Sequence, residues 1–339
     1  MFKNIKKNIL WYYFLKLILY PVYHFFWTYV LNFKGKILCL LWFLKKREYF
    51  TIDKKHSVKK IRNNPIIKKL SEDIFIACNK EILNKSEKEI MEFTENRLNL
   101  SNDGENKYLA ELFERINPDA QKKIFEFCSS DLMLSTAAKY LGIFPTFSKI
   151  ALTLHIPRNI DLKRGAMMFH KDEYGFKSLD IFISINDIDL NNGPLKAVKT
   201  KYDDIGPLAR ILNEDSSNLR GNRGKISDLE IEKKKIDDLS IMGPKGTALL
   251  IDSYKCYHAG GHCLKDNRLL LRILYSSADD TTLKDPNFLK ENYLFFKNND
   301  TLNNNFFLKN FFFRRSRIFM NKKFGNLLFK FFRLISFRY

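Results

Sequence analysis

The chain reads as α+β, with helices first and a run of antiparallel strands after them that forms a sandwich or jelly roll. Two observations predict this. Up to Leu141 the apolar residues recur at three- and four-residue intervals, and after Gly142 they alternate. Between the strand-like runs lies a polar excursion at about 202–238, rich in Gly, Asn, Asp and Lys, which reads as a lid.

The segments bear this out in order. "DIFIACNKEIL", "EKEIMEFTENRL", "KYLAELFERI", "AQKKIFEFC" and "SDLMLSTAAKYLG" carry helical spacing, "LSNDGEN" and "INPDA" break them, and Asn117 with Pro118 opens a helix. "KIALTLHIP" alternates, and so does "SLDIFISINDID", which places Leu179, Ile181, Ile183 and Ile185 on one face. "GTALLID" and "LLLRILYSS" are two further apolar, β-prone runs. The expected organisation is therefore an apolar basic segment over 1–50, a helical region over 51–145, a β core over 146–280 containing the lid, and a basic aromatic tail over 281–339.

A chain of 339 residues can bury a real core. Its five cysteines form no CxxC pair and leave one over, so a disulfide framework or zinc ribbon is not expected and a reducing, cytoplasmic setting is. The net charge of +20 sits at the ends: Met1–Arg47 has nine basic residues and no acid, and Phe306–Tyr339 has nine more and no acid. The middle is close to neutral, so no specific nucleic-acid partner is expected. The run Ile9–Leu31 has the length of a membrane span but is interrupted by Lys16, Pro21 and His24, and its Trp and Tyr residues suit an interface. Near the other end, Leu327, Leu328, Phe331, Phe332 and Ile335 make the apolar side of a basic amphipathic helix. An anionic membrane surface, met peripherally from the cytoplasmic side through both termini, is the expected partner; packing of both ends on protein and a true membrane span are the alternatives.

The chemistry concentrates in "MMFHKDEYGF". On an extended strand, His170 and Asp172 project to the same side, so an imidazole and a carboxylate can grip one ion. A third ligand has to come from a distant strand. "LLIDSYKCYHAGGHCLKDNRLLLRILY" offers His258 or His262, with paired glycines between them and Arg268 on the next run, where a guanidinium suits a dicarboxylate. His56 and His155 read as structural or solvated, and Cys256 and Cys263 as buried apolar residues.

Two histidines and one carboxylate with open positions are the arrangement of non-haem Fe(II) oxygenases. Here the residues resemble the phytanoyl-CoA dioxygenase-like Fe(II)/2-oxoglutarate oxygenases. "FHKDEYGFKSLDIFISINDIDLNNGPLKAV" is similar to that family's His-x-Asp strand and Asn-Gly-Pro turn, and "GKISDLEIEKKKIDDLSIMGPKGTALLIDSYKCYHAGGHCLKDNRLLLRILY" to its second half. The likeness runs from about Ala110 to Ser277 and covers neither basic end.

The resemblance implies a double-stranded β-helix, His170, Asp172 and His258 as iron ligands, and Arg268 on the distal carboxylate of 2-oxoglutarate. It favours His258 over His262 because the family's ligand stands before the paired glycines. It implies Fe(II), 2-oxoglutarate and O2 as the reacting set, and Asp172 favours hydroxylation over halogenation. After the Asn-Gly-Pro turn this chain continues "VKTKYDD", unlike the family, so the substrate is not carried over. A small-molecule or lipid-linked substrate is the expectation. The competing class is a membrane-associated jelly-roll scaffold without catalysis.

Overall fold

The computed structural model describes residues 32–53, 57–79, 109–157, 167, 169–172, 178–198, 238–253, 255–277 and 305–319. Among the described residues there are five helices: α1 (Phe33–Trp42), α2 (Pro65–Cys78), α3 (Pro118–Cys128), α4 (Asp131–Leu141) and α5 (Phe306–Phe319). The strands are β1 (Val58–Ile61), β2 (Leu109–Glu111), β3 (Thr146–His155), β4 (Ser178–Ser184), β5 (Lys196–Val198), β6 (Asp238–Ser240), β7 (Ala248–Ile251), β8 (His258–Ala259) and β9 (Arg268–Ser276). They form a six-stranded sheet, ordered β1-β7-β4-β9-β3-β2, and a three-stranded sheet, ordered β6-β5-β8, antiparallel throughout.

Local chemistry starts and stops the helices. Asn64 and Asn117 cap α2 and α3 through their side-chain oxygens, each followed by a proline whose missing N–H costs nothing in the first turn. Asn305 caps α5 in the same way. Gly142 ends α4 in the left-handed region at φ 68°.

The alternation along β4 divides its two sides. Leu179, Ile181 and Ile183 enter the main core, which also takes buried faces of all five helices. Phe182, with Leu249, Ile251 and Leu270, faces the other way and packs with Ala197 and Ile241 of the smaller sheet and its flank. Helices, large sheet and small sheet therefore lie in three layers, with a second core between the sheets.

Three expectations are corrected. "KYLAELFERI" is not a helix: Leu109–Glu111 pairs with β3 and Phe113–Arg115 is a 3-10 turn. Glu111 accepts the Leu152 N–H through its side chain and Leu112 donates to the Leu152 carbonyl, so pairing at a sheet edge overrides helix propensity. The region 51–145 also supplies β1, which pairs with β7, and so is not only helical. Finally, the tail from 281 is in part core: Phe311 and Phe312 of α5 are buried against Phe147 of β3. The lid over 202–238 (apart from Asp238), the run Ile9–Leu31, the helix at 327–335, "EKEIMEFTENRL" and His56 lie outside the described residues. Among the described residues no helix is long and apolar enough to cross a membrane.

Candidate metal centre

His170 and His258 meet through the backbone. His170 donates its N–H to the His258 carbonyl at 3.0 Å and accepts the His258 N–H at 2.9 Å, which extends the small sheet beyond β8 by one bridge. Residues directly opposite across an antiparallel pair point to the same side. His258 is also opposite Ala197, which lies in the core between the sheets, so both imidazoles project toward the large sheet. Their ring centroids are 4.4 Å apart.

Asp172 lies two residues past His170, where its N–H donates to the Ser253 carbonyl. Its Oδ1 is 3.6 Å from His170 Nε2 and its Oδ2 3.5 Å from His258 Nε2. One ligand atom from each residue falls within a 4.8 Å group. Adjacent ligands on an octahedral ion with bonds near 2.1 Å stand about 3 Å apart; the two imidazole–carboxylate distances exceed this by only about half an ångström, while the three-atom set as a whole, spread within 4.8 Å, has further to close. His258 Nδ1 is 3.3 Å from the Cys256 carbonyl, which can only accept. With its proton on Nδ1 and donated to that carbonyl, His258 has Nε2, the nitrogen nearer Asp172, left to bind an ion, as metal-binding histidines require. The donor set of two imidazoles and a carboxylate fits Fe(II).

The segment before His258 is tied down as well. Asp252, buried, accepts the Tyr140 hydroxyl at 2.7 Å and the Lys255 N–H at 3.2 Å. Burial, and then the Asp252 charge, push Tyr140 well above its ordinary pKa, so it stays a donor. On the far side, Gly193 has φ 58°, and a Cβ there would come within 2.1 Å of the His262 carbonyl oxygen. A Cβ on Gly261 would meet Gly193 at 2.6 Å. The Asn-Gly-Pro turn and the paired glycines thus touch backbone to backbone, which only glycine permits. His262 lies at this contact and is not in the His170–Asp172–His258 group.

Period two along β9 sends Arg268 and Arg272 to the same inner face. Arg272 was missed in the sequence. It donates from Nη2 to Asp172 and from Nε to Asp180, both at 2.7 Å, while its guanidinium lies over the Phe182 ring. Its signal was available, because Arg272 shares parity with Arg268 and Asp180 shares parity with Phe182. Burial alone would push the Asp172 carboxyl up; the Arg272 charge, followed by the hydrogen bond and charge of His258 and the charge of His170, outweighs burial and holds it well below the carboxylate range.

Arg268 is buried, with Nη1 donating to the Gly261 carbonyl at 3.0 Å and Nη2 to His155 Nδ1 at 3.1 Å. His155, opposite Arg268 in the sheet, is therefore a positioning residue rather than a solvated one. Burial, then the Arg268 charge, depress its pKa well below the ordinary value and keep it a neutral acceptor. A histidine whose folded pKa is lowered makes the unfolded chain the better proton binder. Its stabilisation is present above the unfolded value near 6.5 and is lost as pH falls below it. Wild-type melting temperature should thus drop between about pH 7.5 and 5.5, and His155→Gln should shrink that drop; an identical drop in the variant would remove His155 as its cause.

Neither a family model nor a curated protein matches the chain. Solved structures that overlap it include the epimerase SnoN in complex with Fe3+, alpha ketoglutarate and nogalamycin RO, at 12% identity and TM-score 0.40 over 66% of this chain and 80% of that one. The non-heme alpha ketoglutarate dependent carbocyclase SnoK from nogalamycin biosynthesis overlaps at 14% identity and TM-score 0.37 over 68% of this chain and 94% of that one. EvdO2 from Micromonospora carbonacea var. aurantiaca, complexed with 2-oxoglutarate, does so at 13% identity and TM-score 0.39 over the same shares of 68% and 94%. Likenesses of this degree do not speak to this chain's chemistry, which rests on its own side chains.

Proposed function

We propose that the chain is a non-haem Fe(II)/2-oxoglutarate-dependent dioxygenase built on a double-stranded β-helix. The observation that carries this reading is the convergence of His170, Asp172 and His258, from segments far apart in sequence, with ligand atoms within 4.8 Å between two antiparallel sheets. In this reading His170, Asp172 and His258 hold the iron and leave coordination positions open. Arg268, steadied by His155 and Gly261, receives the distal carboxylate of 2-oxoglutarate in a bidentate pair. Bound iron with 2-oxoglutarate and O2 supplies oxidation of an unactivated C–H bond, chemistry that belongs to the cofactor set. The chain's own part is to orient His258 through the Cys256 carbonyl, hold Asp172 ionised through Arg272, and surround the site with apolar side chains such as Phe182. The substrate we assign is a small or lipid-linked molecule.

One observation favours a second reading. Arg272 already neutralises Asp172 without an ion, as a non-catalytic jelly-roll scaffold would need. Anaerobic titration with Fe(II) and then 2-oxoglutarate separates the two. The enzyme gives the metal-to-ligand charge-transfer band of a chelated keto acid, and Arg268→Ala weakens it. Folded protein with no band at any 2-oxoglutarate concentration is the scaffold.

A further inference from the structure

Helix α1 is apolar on both sides. Gly35, Leu38 and Trp42 are buried in the main core, Trp42 donating its indole N–H to Ser135 at 2.9 Å. Phe144 donates its N–H to the Gly35 carbonyl. This side fixes the helix to α4 and to the turn after it.

The other side points to solvent. Phe33 is 55%, Ile37 42%, Leu40 72% and Leu41 44% exposed, and Leu44, just past the helix, is 78% exposed. At 100° per residue these five fall within about one third of the circumference. Lys34 and Lys36, both exposed, lie on its two flanks, and exposed Lys45 and Lys46 follow. Nearly half of the large exposed apolar residues described in the chain belong to this one short segment. Scattered single apolar residues need no explanation, but a contiguous row rimmed by cations does.

From this geometry we infer that α1 is a docking surface for a bilayer with anionic headgroups. The apolar row enters the boundary between headgroups and acyl chains, and Lys34 and Lys36 reach sideways to the phosphates while their stems stay against the apolar surface. Charge decides between the occupants. Met1–Arg47 holds nine basic residues and no acid. A second copy of α1, or the segment before it folded back, would bring like charge against Lys34 and Lys36; an anionic lipid surface brings the opposite sign. The helix packs on the core at the helical side of the large sheet, while the metal centre lies at the other side. The inference does not depend on the function proposed above.

The full-length protein is tested by co-sedimentation with vesicles of phosphatidylcholine alone and of phosphatidylcholine with about 30% phosphatidylserine. The substitutions are at exposed positions, so folding is preserved, and circular dichroism checks it. Wild type should bind the anionic vesicles, and Leu40→Ser with Leu44→Ser should lower the partition coefficient at least about tenfold. Lys34→Gln and Lys36→Gln should each cost about fivefold at low salt, the equivalent of roughly 1 kcal/mol per cation near an anionic surface. Equal partitioning of the leucine double variant overturns the proposal. So does a wild-type dimer in light scattering that the double variant converts to monomer with vesicle binding unchanged, because α1 is then an interface between copies.

Discussion

Replacing Asp172 by Ala should raise the Fe(II) dissociation constant by at least about 100-fold, the upper range seen when only a partner behind a ligand is lost, and should abolish 2-oxoglutarate turnover. His258→Ala should do the same, whereas His262→Ala should leave both unchanged, because His262 stands outside the cluster at the Gly193 contact. Isothermal titration under anaerobic conditions reads the affinity, and succinate release reads the turnover. A melting curve gives an independent check. Fe(II) at about 100 times its dissociation constant should stabilise the wild type by about 2.7 kcal/mol and leave Asp172→Ala unmoved. The unliganded variant should still fold, since Arg272 keeps its contact with Asp180. Full turnover in Asp172→Ala would end the metal reading, and wild-type loss in His262→Ala would reassign the third ligand.

Arg272→Met should destabilise the fold by about 3–5 kcal/mol, the usual cost of removing one partner from a buried ion pair. Asp180 has no exposed surface, and its Oδ2 finds no hydrogen-bond partner among the described residues. Arg272 Nε is the donor to its other oxygen. Without that guanidinium a carboxylate is left buried on the inner face beside Phe182. The double variant Asp180→Leu with Arg272→Met should regain most of the loss, because an apolar pair of similar size has no charge to desolvate. Urea midpoints at neutral pH measure both. A single variant as stable as wild type would mean that the Arg272–Asp180 pair does not hold the fold. The acid limb carries a related signature. Asp172 has a depressed pKa, so its contribution is present above the unfolded value near 3.9 and lost as pH falls below it. This window lies well below the one set by His155.

What the sequence determined by itself was local and periodic. The alternation of Leu179, Ile181 and Ile183 was enough to turn one side of β4 to the helices, since every second side chain must. The spacing of His170 and Asp172 was enough to direct both to one place, and Asn117-Pro118 and Gly142 marked helix ends through capping and the left-handed region. Tertiary structure alone decided the rest. The fate of Leu109–Glu111 depended on an open edge of β3 that local propensity does not register. The meeting of His170 with His258 depended on a single bridge between segments nearly ninety residues apart. The pairing of Arg272 with Asp172 and Asp180, and of His155 with Arg268, depended on which strands became neighbours. Periodicity fixes which side of a strand a residue takes, but long-range pairing fixes what stands opposite, and electrostatics in a buried site is governed by what stands opposite.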